Sequence, residues 1–278
     1  MRNRFGGASH VGADELISTD ALALVRFGLR AADDPRIVDT VNVIDHVLRV
    51  ELPYGPGWRR YNGDGYGEHD DGGPYDGTGV GRVWPLLAGE RAHYELAAGR
   101  RTAAERLLVA MEAGASPGRL LPEQVWDGPP IPALELEPGK PSGSAMPLVW
   151  AHAEHIKLLR SLTDGAVFDR PPQPVRRYLR EKHVARCRPW RPDWRPPNVP
   201  VGRVLRLDLP EPALVHWSTD GWQTRSDART RDTGFGIHCV ELATNGLMPG
   251  QVIVFTWMHL TGGAWIGQDH TVTVNGVG

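Results

Sequence analysis

The chain has 278 residues, 41% hydrophobic and 23% charged, a globular balance that excludes a disordered polymer. Its formal charge of -2 gives no basic footprint for nucleic acid, and no apolar run approaches the ~18 residues of a membrane span. With two cysteines, Cys187 and Cys239, neither a disulfide framework nor a four-cysteine zinc site is expected, whether those two pair or remain thiols.

The opening residues MRNRFGGASHVGADELIS carry two arginines with no apolar core behind them, so no signal peptide is expected and no location is indicated. The stretch TDALALVRFGLRAADD then places Leu22, Val25, Phe27 and Leu29 at helical spacing. Asp34-Pro35 is a cap followed by proline at the first helical position, and Ile37, Val41, Ile44 and Leu48 mark the buried stripe of the helix that follows. A further helix is expected from about Arg82 to Ala98. Another opens on a capping box of Thr102 and Glu105 and stops at Gly114. The fifth is expected to begin after Ser144, with Pro147 in its first turn and Met146, Val149, Trp150, Ala153 and Ile156 buried.

From Asp169 the texture changes to a proline-rich connector ending near Pro200. Beyond it lie the short β-type runs RVLRLDL, ALVHWS, GIHCVEL, QVIVFTWMHL and HTVTV, punctuated by turn residues as in a small antiparallel sandwich. The fold class expected is therefore multidomain α + β, with a helical unit over 1–168, a linker over 169–200 and a β-sandwich over 201–278.

Two long segments, 54–81 and 116–144, interrupt the helices. Connections beyond about 12–15 residues are usually functional or disordered, and these are rich in aromatic residues and proline. With the start of the next helix they supply Trp58, Arg59, Arg60, Tyr61, Asp64, Tyr66, Glu68, Trp84, Glu123 and Trp126. Aromatic faces beside carboxylates and arginine suit a sugar, whose C–H faces stack on rings and whose hydroxyls need charged partners. The bland readings stand beside this one: Trp84 and Trp150 as core, Arg59 and Arg60 as a solvated pair. His152 and His155, three apart on a helix, lack an evident third metal ligand. The NGDGYGEHDDGG stretch does not match the EF-hand pattern, so calcium there is left open, and no metal site is assigned.

The motifs WRRYNGDGYGE, GRVWPLLAGERAHYELAAG, LPEQVWD and PGKPSGSAMPLVWAHAEHIKLLRS, in that order, resemble the bacterial branch of glycoside hydrolase family 15, the glucoamylases, glucodextranases and some trehalases. The resemblance runs from about residue 14 to 185. It implies an (α/α)6 barrel, of which this chain would supply about half of the twelve helices. It also implies exo-hydrolysis of terminal α-linked glucose from oligo- or polysaccharide with inversion, without a required cofactor. On this resemblance Glu123 matches the general base that deprotonates the attacking water. Arg60 and Tyr61 match an Arg-Tyr pair that contacts the sugar. Trp84 and Trp126 match aromatic positions lining or supporting the pocket. The family's general acid lies in a W-E-E-like motif with no counterpart in this sequence, and Glu68 has only its nearness in sequence to commend it as a substitute. The chain is thus expected to correspond to the C-terminal part of a catalytic barrel and to be incompetent by itself. A non-catalytic carbohydrate-binding or remnant protein is the alternative, and trehalase the alternative within the family. The tract VHWSTDGWQT is weakly similar to starch-binding sandwich modules, so the β unit is expected either to bind sugar or to use its tryptophans as core.

Overall fold

The computed structural model describes residues 15–183 and 185–276 and divides into two units, 1–182 and 183–278. The first is helical. After a short 3-10 turn at Thr19–Ala21 come α1 (Leu22–Arg26), α2 (Pro35–Leu48), a hairpin of β1 (Arg49–Leu52) and β2 (Gly55–Trp58), α3 (Pro85–Ala97), α4 (Arg101–Ala113) and α5 (Val149–Asp164). Turns of helix at Pro172–Pro174 and Val175–Arg180 end the unit.

The third helix, α3, is the hub. It packs on α1, α4, α5 and β2 and is buried over most of its circumference, from Leu86 and Leu87 to Ala92 and Leu96. Gly89 permits the approach of α5, because a Cβ there would stand 2.7 Å from Glu154 Cγ. The main core joins Ile44, Leu48, Trp58, Trp84, Leu86, Leu107, Met111 and Leu158, and a smaller cluster joins Leu22, Val25, Ile37, Val41 and Tyr94.

Several expectations are corrected. The first helix is only α1, ended at Gly28 with φ 73°, and Phe27 is exposed. The helix expected from Arg82 starts at Pro85, proline taking the first position where its missing N–H costs nothing. No capping box forms on α4; Arg101 salt-bridges Glu105 instead. Pro147 precedes α5 rather than entering its first turn.

The largest correction is the phase of α5. Val149, Trp150 and Ile156 are 79%, 55% and 65% exposed, and Met146 and Ala153 are exposed too. The buried side is Ala151, Glu154, Leu158, Ser161 and Leu162. Glu154 can occupy the core because it is paired: Arg26 Nη1 donates to both its oxygens at 2.8 and 3.0 Å, His93 Nδ1 stands 2.9 Å away and Lys157 Nζ 3.1 Å. Burial alone would raise the Glu154 pKa, but His93 and Arg26 prevail and hold it at about 2. Nearby on α3, burial and the Glu154 charge push Glu90 up to about 7.

The 169–200 stretch contains the boundary between the two units and carries secondary structure on either side of it. Asp169 accepts from Arg26, and Arg170 donates to the Val25 and Arg26 carbonyls, which ties this stretch to the C-terminal end of α1. The remainder supplies β3 (Cys187–Trp190) and β4 (Asn198–Pro200) of the second unit.

That second unit is a two-sheet β structure. It continues with β5 (Val204–Leu209), β6 (Ala213–Ser218), β7 (Ser226–Arg229), β8 (Arg231–Asp232), β9 (His238–Leu242), β10 (Val252–His259) and β11 (His270–Asn275). One sheet has the order β4-β11-β10-β6-β7 and the other β3-β5-β9-β8. Pairing is antiparallel except for β4 on β11 and β3 on β5. All five β-type runs read from the sequence are strands. Trp190, Leu205, Leu207, Val215, Phe255 and Val272 lie in the core. Cys187 and Cys239 are free thiols.

Candidate active site

The site grows from the two long segments of the helical unit, which bind each other. Residues 121–126 form neither helix nor regular strand, bend at Glu123 and are held along both edges. Glu123 N–H donates to the Ala145 carbonyl at 2.8 Å and Val125 N–H to Val83 at 2.9 Å. Trp126 N–H reaches Lys140 at 2.8 Å, and Leu121 N–H reaches His152 Nε2 at 3.0 Å. Gln124 is buried with both ends of its amide hydrogen-bonded. Its Oε1 accepts the Arg82 N–H at 3.0 Å and its Nε2 donates to the Tyr66 carbonyl at 3.0 Å, joining the 116–144 segment to the earlier one. The backbone that carries Glu123 is therefore fixed from both sides, and its half-buried carboxylate keeps its place without helix phase.

Tyr66 connects that carboxylate to Arg60. The Tyr66 hydroxyl donates to Glu123 Oε2 at 3.0 Å, and the Arg60 guanidinium lies over the Tyr66 ring at 4.9 Å and over Trp84 at 4.8 Å. Arg60 is set by a two-pronged pair with Asp64, at 2.8 and 2.9 Å, and Asp64 also caps the Tyr66 N–H. Burial opposes the Arg60 charge, but Asp64, with smaller help from Tyr61 and Glu123, raises its pKa above the ordinary arginine value. Burial and then the Glu123 hydrogen bond push the Tyr66 phenol up as well, so it stays a donor. The Tyr61 phenol moves the same way, through burial and Asp64.

Beneath these residues Arg82, 1% exposed, is the tie of the whole site. Its side chain donates to the Glu68 carbonyl at 2.8 and 3.2 Å, to the His69 carbonyl at 2.8 Å and to Asp127 Oδ1 at 3.1 Å. It also lies 4.1 Å over the Trp126 ring. Asp127 is shared with Arg59 at 2.8 Å. The turn below this point needs glycine, since a Cβ at Gly79 would meet the Gly67 carbonyl at 1.9 Å.

An open cavity of about 680 Å³ lies against these loops. Its wall includes Tyr66, Glu68, Tyr75, Glu123 and Gln124, then Ser142 to Met146. Glu68 is 6% exposed, and its Oε2 has no hydrogen-bond partner among the described residues. Of the residues singled out from sequence, Tyr66, Glu68 and Glu123 are in this wall. Arg60, Tyr61 and Trp84 form a cluster beside it. Trp126, expected to line or support the pocket, is 0% exposed, and its indole N–H donates to the Pro129 carbonyl at 2.7 Å. Trp84 is likewise buried, edge-on to the exposed Trp150. Trp58 belongs to the core and donates to Asp45 at 3.0 Å.

The carboxylates of the 64–76 stretch are dispersed rather than convergent: Asp64 serves Arg60, Asp71 caps Gly73, and Asp76 serves Thr78 and His69. Among the described residues no group of three or more His, Cys, Asp or Glu side chains is placed to hold a metal. His152 is used by the Leu121 N–H and His155 by Glu112. Sequence reasoning missed Arg82, Asp127 and Tyr75. Only Arg82 left a trace, as an arginine stranded three residues before a helix-opening proline.

No protein-family model matches the chain. Over 165 residues it is 44% identical to the glucoamylase of Clostridium sp. (strain G0005), a match covering 59% of this chain and 22% of that protein. A crystal structure of a bacterial glucoamylase complexed with acarbose aligns with a TM-score of 0.54 at 44% identity, covering 59% of this chain and 23% of that chain. This chain spans less than a quarter of the length of either relative.

Proposed function

We propose that the helical unit carries the general-base side of an inverting, exo-acting α-glucosidase site of glucoamylase or glucodextranase type, acting on terminal α-linked glucose of oligo- and polysaccharides. The observation that carries this reading is the setting of Glu123. It is a carboxylate on a doubly pinned loop segment, hydrogen-bonded by one phenol, beside a fixed arginine and facing an open cavity. The likeness to the two glucoamylases supports it over the same part of the chain.

In this role Glu123 takes a proton from water as that water attacks the anomeric carbon from the face opposite the leaving oxygen. The product is then β-glucose from an α-glucoside. The Tyr66 hydroxyl holds the carboxylate and, as a donor, favours its ionised form before the proton arrives. Arg60 supplies guanidinium donors for sugar hydroxyls beside it. Inverting carboxyl pairs stand about 6.5–9.5 Å apart, which leaves room for the water, and the second carboxyl is assigned to no residue of this chain. The alternative is a carbohydrate-binding protein without turnover. Trehalase activity shares every feature named above.

The test is a chimera in which the 165 matched residues of this chain replace their counterpart in the Clostridium glucoamylase. Release of β-glucose from maltose or isomaltose, read by NMR at early times, supports the reading. Release of α-glucose, or an inactive but folded chimera, opposes it.

A further inference from the structure

The formal charge of the whole chain conceals a local excess. Residues 170–206 hold 11 of its 31 lysines and arginines but only two of its 33 acidic residues, Glu181 and Asp193. The excess starts in the last turn of the helical unit, with Arg176, Arg177 and Arg180, and runs on through the first strands of the β unit. In the β unit some of these charges are already matched: Arg186 pairs with Glu241 and Arg206 with Asp208. Arg188, Arg191 and Arg195 meet no carboxylate among the described residues.

These three arginines gather on one turn. The strand β3 runs into residues 191–194, where the N–H groups of Arg191 and Trp194 donate to each other's carbonyls at 2.9 and 3.0 Å. The Arg188 guanidinium lies 5.3 Å from the Trp194 ring centroid, and its Nε is buried without a hydrogen-bond acceptor. Arg195 Nε donates to the Pro192 carbonyl at 2.8 Å, which holds its side chain against the turn. Arg191, Trp194 and Arg195 are exposed, the indole at 47%. The turn is anchored from below by Trp190, which is core and lies under the Arg195 guanidinium at 6.0 Å. A rigid turn thus presents three guanidinium groups and one indole to solvent. Packing alone gives no reason to bury a donor unsatisfied or to crowd like charges beside it.

We propose that this turn docks the protein on an anionic phospholipid surface, with Arg188, Arg191 and Arg195 on lipid phosphates and the Trp194 ring at headgroup level. Guanidinium forks match phosphate oxygens in pairs. An indole, apolar in body and polar at its N–H, settles at the boundary between hydrocarbon and water. Each arginine near such a surface strengthens binding about fivefold. A single-stranded nucleic acid would need successive ring platforms, and this patch offers one. The backbone of a duplex would take the arginines but leave the indole without a role. A peptide strand fits poorly, because β3 is an edge of its sheet and Pro189 within it has no N–H to donate. The surface is independent of the hydrolytic reading of the helical unit.

The test floats the 278-residue chain with vesicles of phosphatidylcholine alone or mixed with phosphatidylglycerol. Flotation is expected with the mixed vesicles only, and salt at about 1 M, which screens exposed charges beyond about 3 Å, should release the chain. Arg191→Gln and Arg195→Gln, both at exposed positions, should each weaken binding about fivefold and together about 25-fold. Arg225→Gln, which removes an exposed arginine paired with Asp227 elsewhere in the β unit, should bind as the unaltered chain does. Brominated phosphatidylcholine in the mixed vesicles should quench part of the tryptophan emission, and Trp194→Phe should remove that quenching. Equal flotation with both kinds of vesicle, or with neither, overturns the proposal, as does undiminished binding by the double variant. Tighter binding to a DNA duplex than to the mixed vesicles, lost in the double variant, overturns lipid as the partner. Vesicle binding and glucose release by the chimera are measured apart, so the two readings fail separately.

Discussion

Replacing Arg82 by methionine should unfold the helical unit at a much lower temperature, because that side chain satisfies more of the site than any other. The guanidinium is almost wholly buried, stacks on Trp126 and donates to the carbonyls of Glu68 and His69 and to the carboxylate of Asp127. Methionine fills much of the volume but donates nothing. Two buried carbonyls then lose donors, at about 1–3 kcal/mol for each unsatisfied group. Asp127, also fully buried, keeps only Arg59. Removing one partner of a buried pair typically costs about 3–5 kcal/mol, and we expect a total in that range because Arg59 compensates in part. For a unit of this size about 2–4 °C accompanies each kcal/mol, so the midpoint should fall by roughly 6–20 °C. Differential scanning calorimetry reads this directly. The transition of the helical unit should move while that of the β unit stays. Arg82→Lys should lie between the two, since lysine keeps the charge but not the planar fork. A fall of less than about 3 °C for Arg82→Met would refute the view that this arginine ties the two long segments together.

The Glu90 carboxyl, pushed up to about 7 by burial and by Glu154, makes folding less favourable as pH rises from about 4.5 through 7, because the folded state resists its ionisation. Glu90→Gln should therefore match the unaltered protein near pH 4 and be more stable at pH 8, by up to about 3 kcal/mol if the whole displacement is felt; equal melting temperatures at both pH values would contradict this. Glu68 carries a buried carboxylate oxygen with no partner among the described residues, a cost that a purely structural residue would not retain. Glu68→Gln should hold or raise the melting temperature at pH 7 and weaken oligosaccharide binding by the chimera, whereas lower stability with unchanged binding would make Glu68 structural.

Where the sequence was legible, it was so because local signals agreed with tertiary demands. Asp34-Pro35 caps α2 as expected: the Asp34 side chain accepts the Arg36 N–H, and Ile37, Val41, Ile44 and Leu48 are all buried. The strands β5, β6, β9, β10 and β11 were visible through β-branched and aromatic runs cut by turn residues. The short β3 and β4 were hidden by their prolines and by pairing that is parallel and distant in sequence. The phase of α5 was illegible because hydrophobicity marks the wrong face. Glu154 is buried because Arg26 and His93 reach it from α1 and α3 and Lys157 from α5 itself, and no window along α5 contains the first two. The site shows the same division. Glu123 stands out as an acid on a proline-marked segment, and its neighbour Gln124 gave no local hint that it would join two loops 58 positions apart. In sequence Trp126 and Trp84 read either as lining or as supporting a pocket, because an indole advertises stacking whether it faces solvent or core. Only the packing of Arg82 beneath Trp126 separates the two cases.

If Glu123 acts as the base, Glu123→Gln in the chimera removes the proton acceptor and leaves the fold in place. The amide keeps the shape and can still meet the Tyr66 hydroxyl through its oxygen, but it cannot take a proton from water. The account predicts that kcat for maltose or isomaltose falls by about 10²–10⁴-fold with little change in KM or melting temperature. Turnover within a few-fold of the unaltered chimera would contradict it and remove Glu123 from the chemistry.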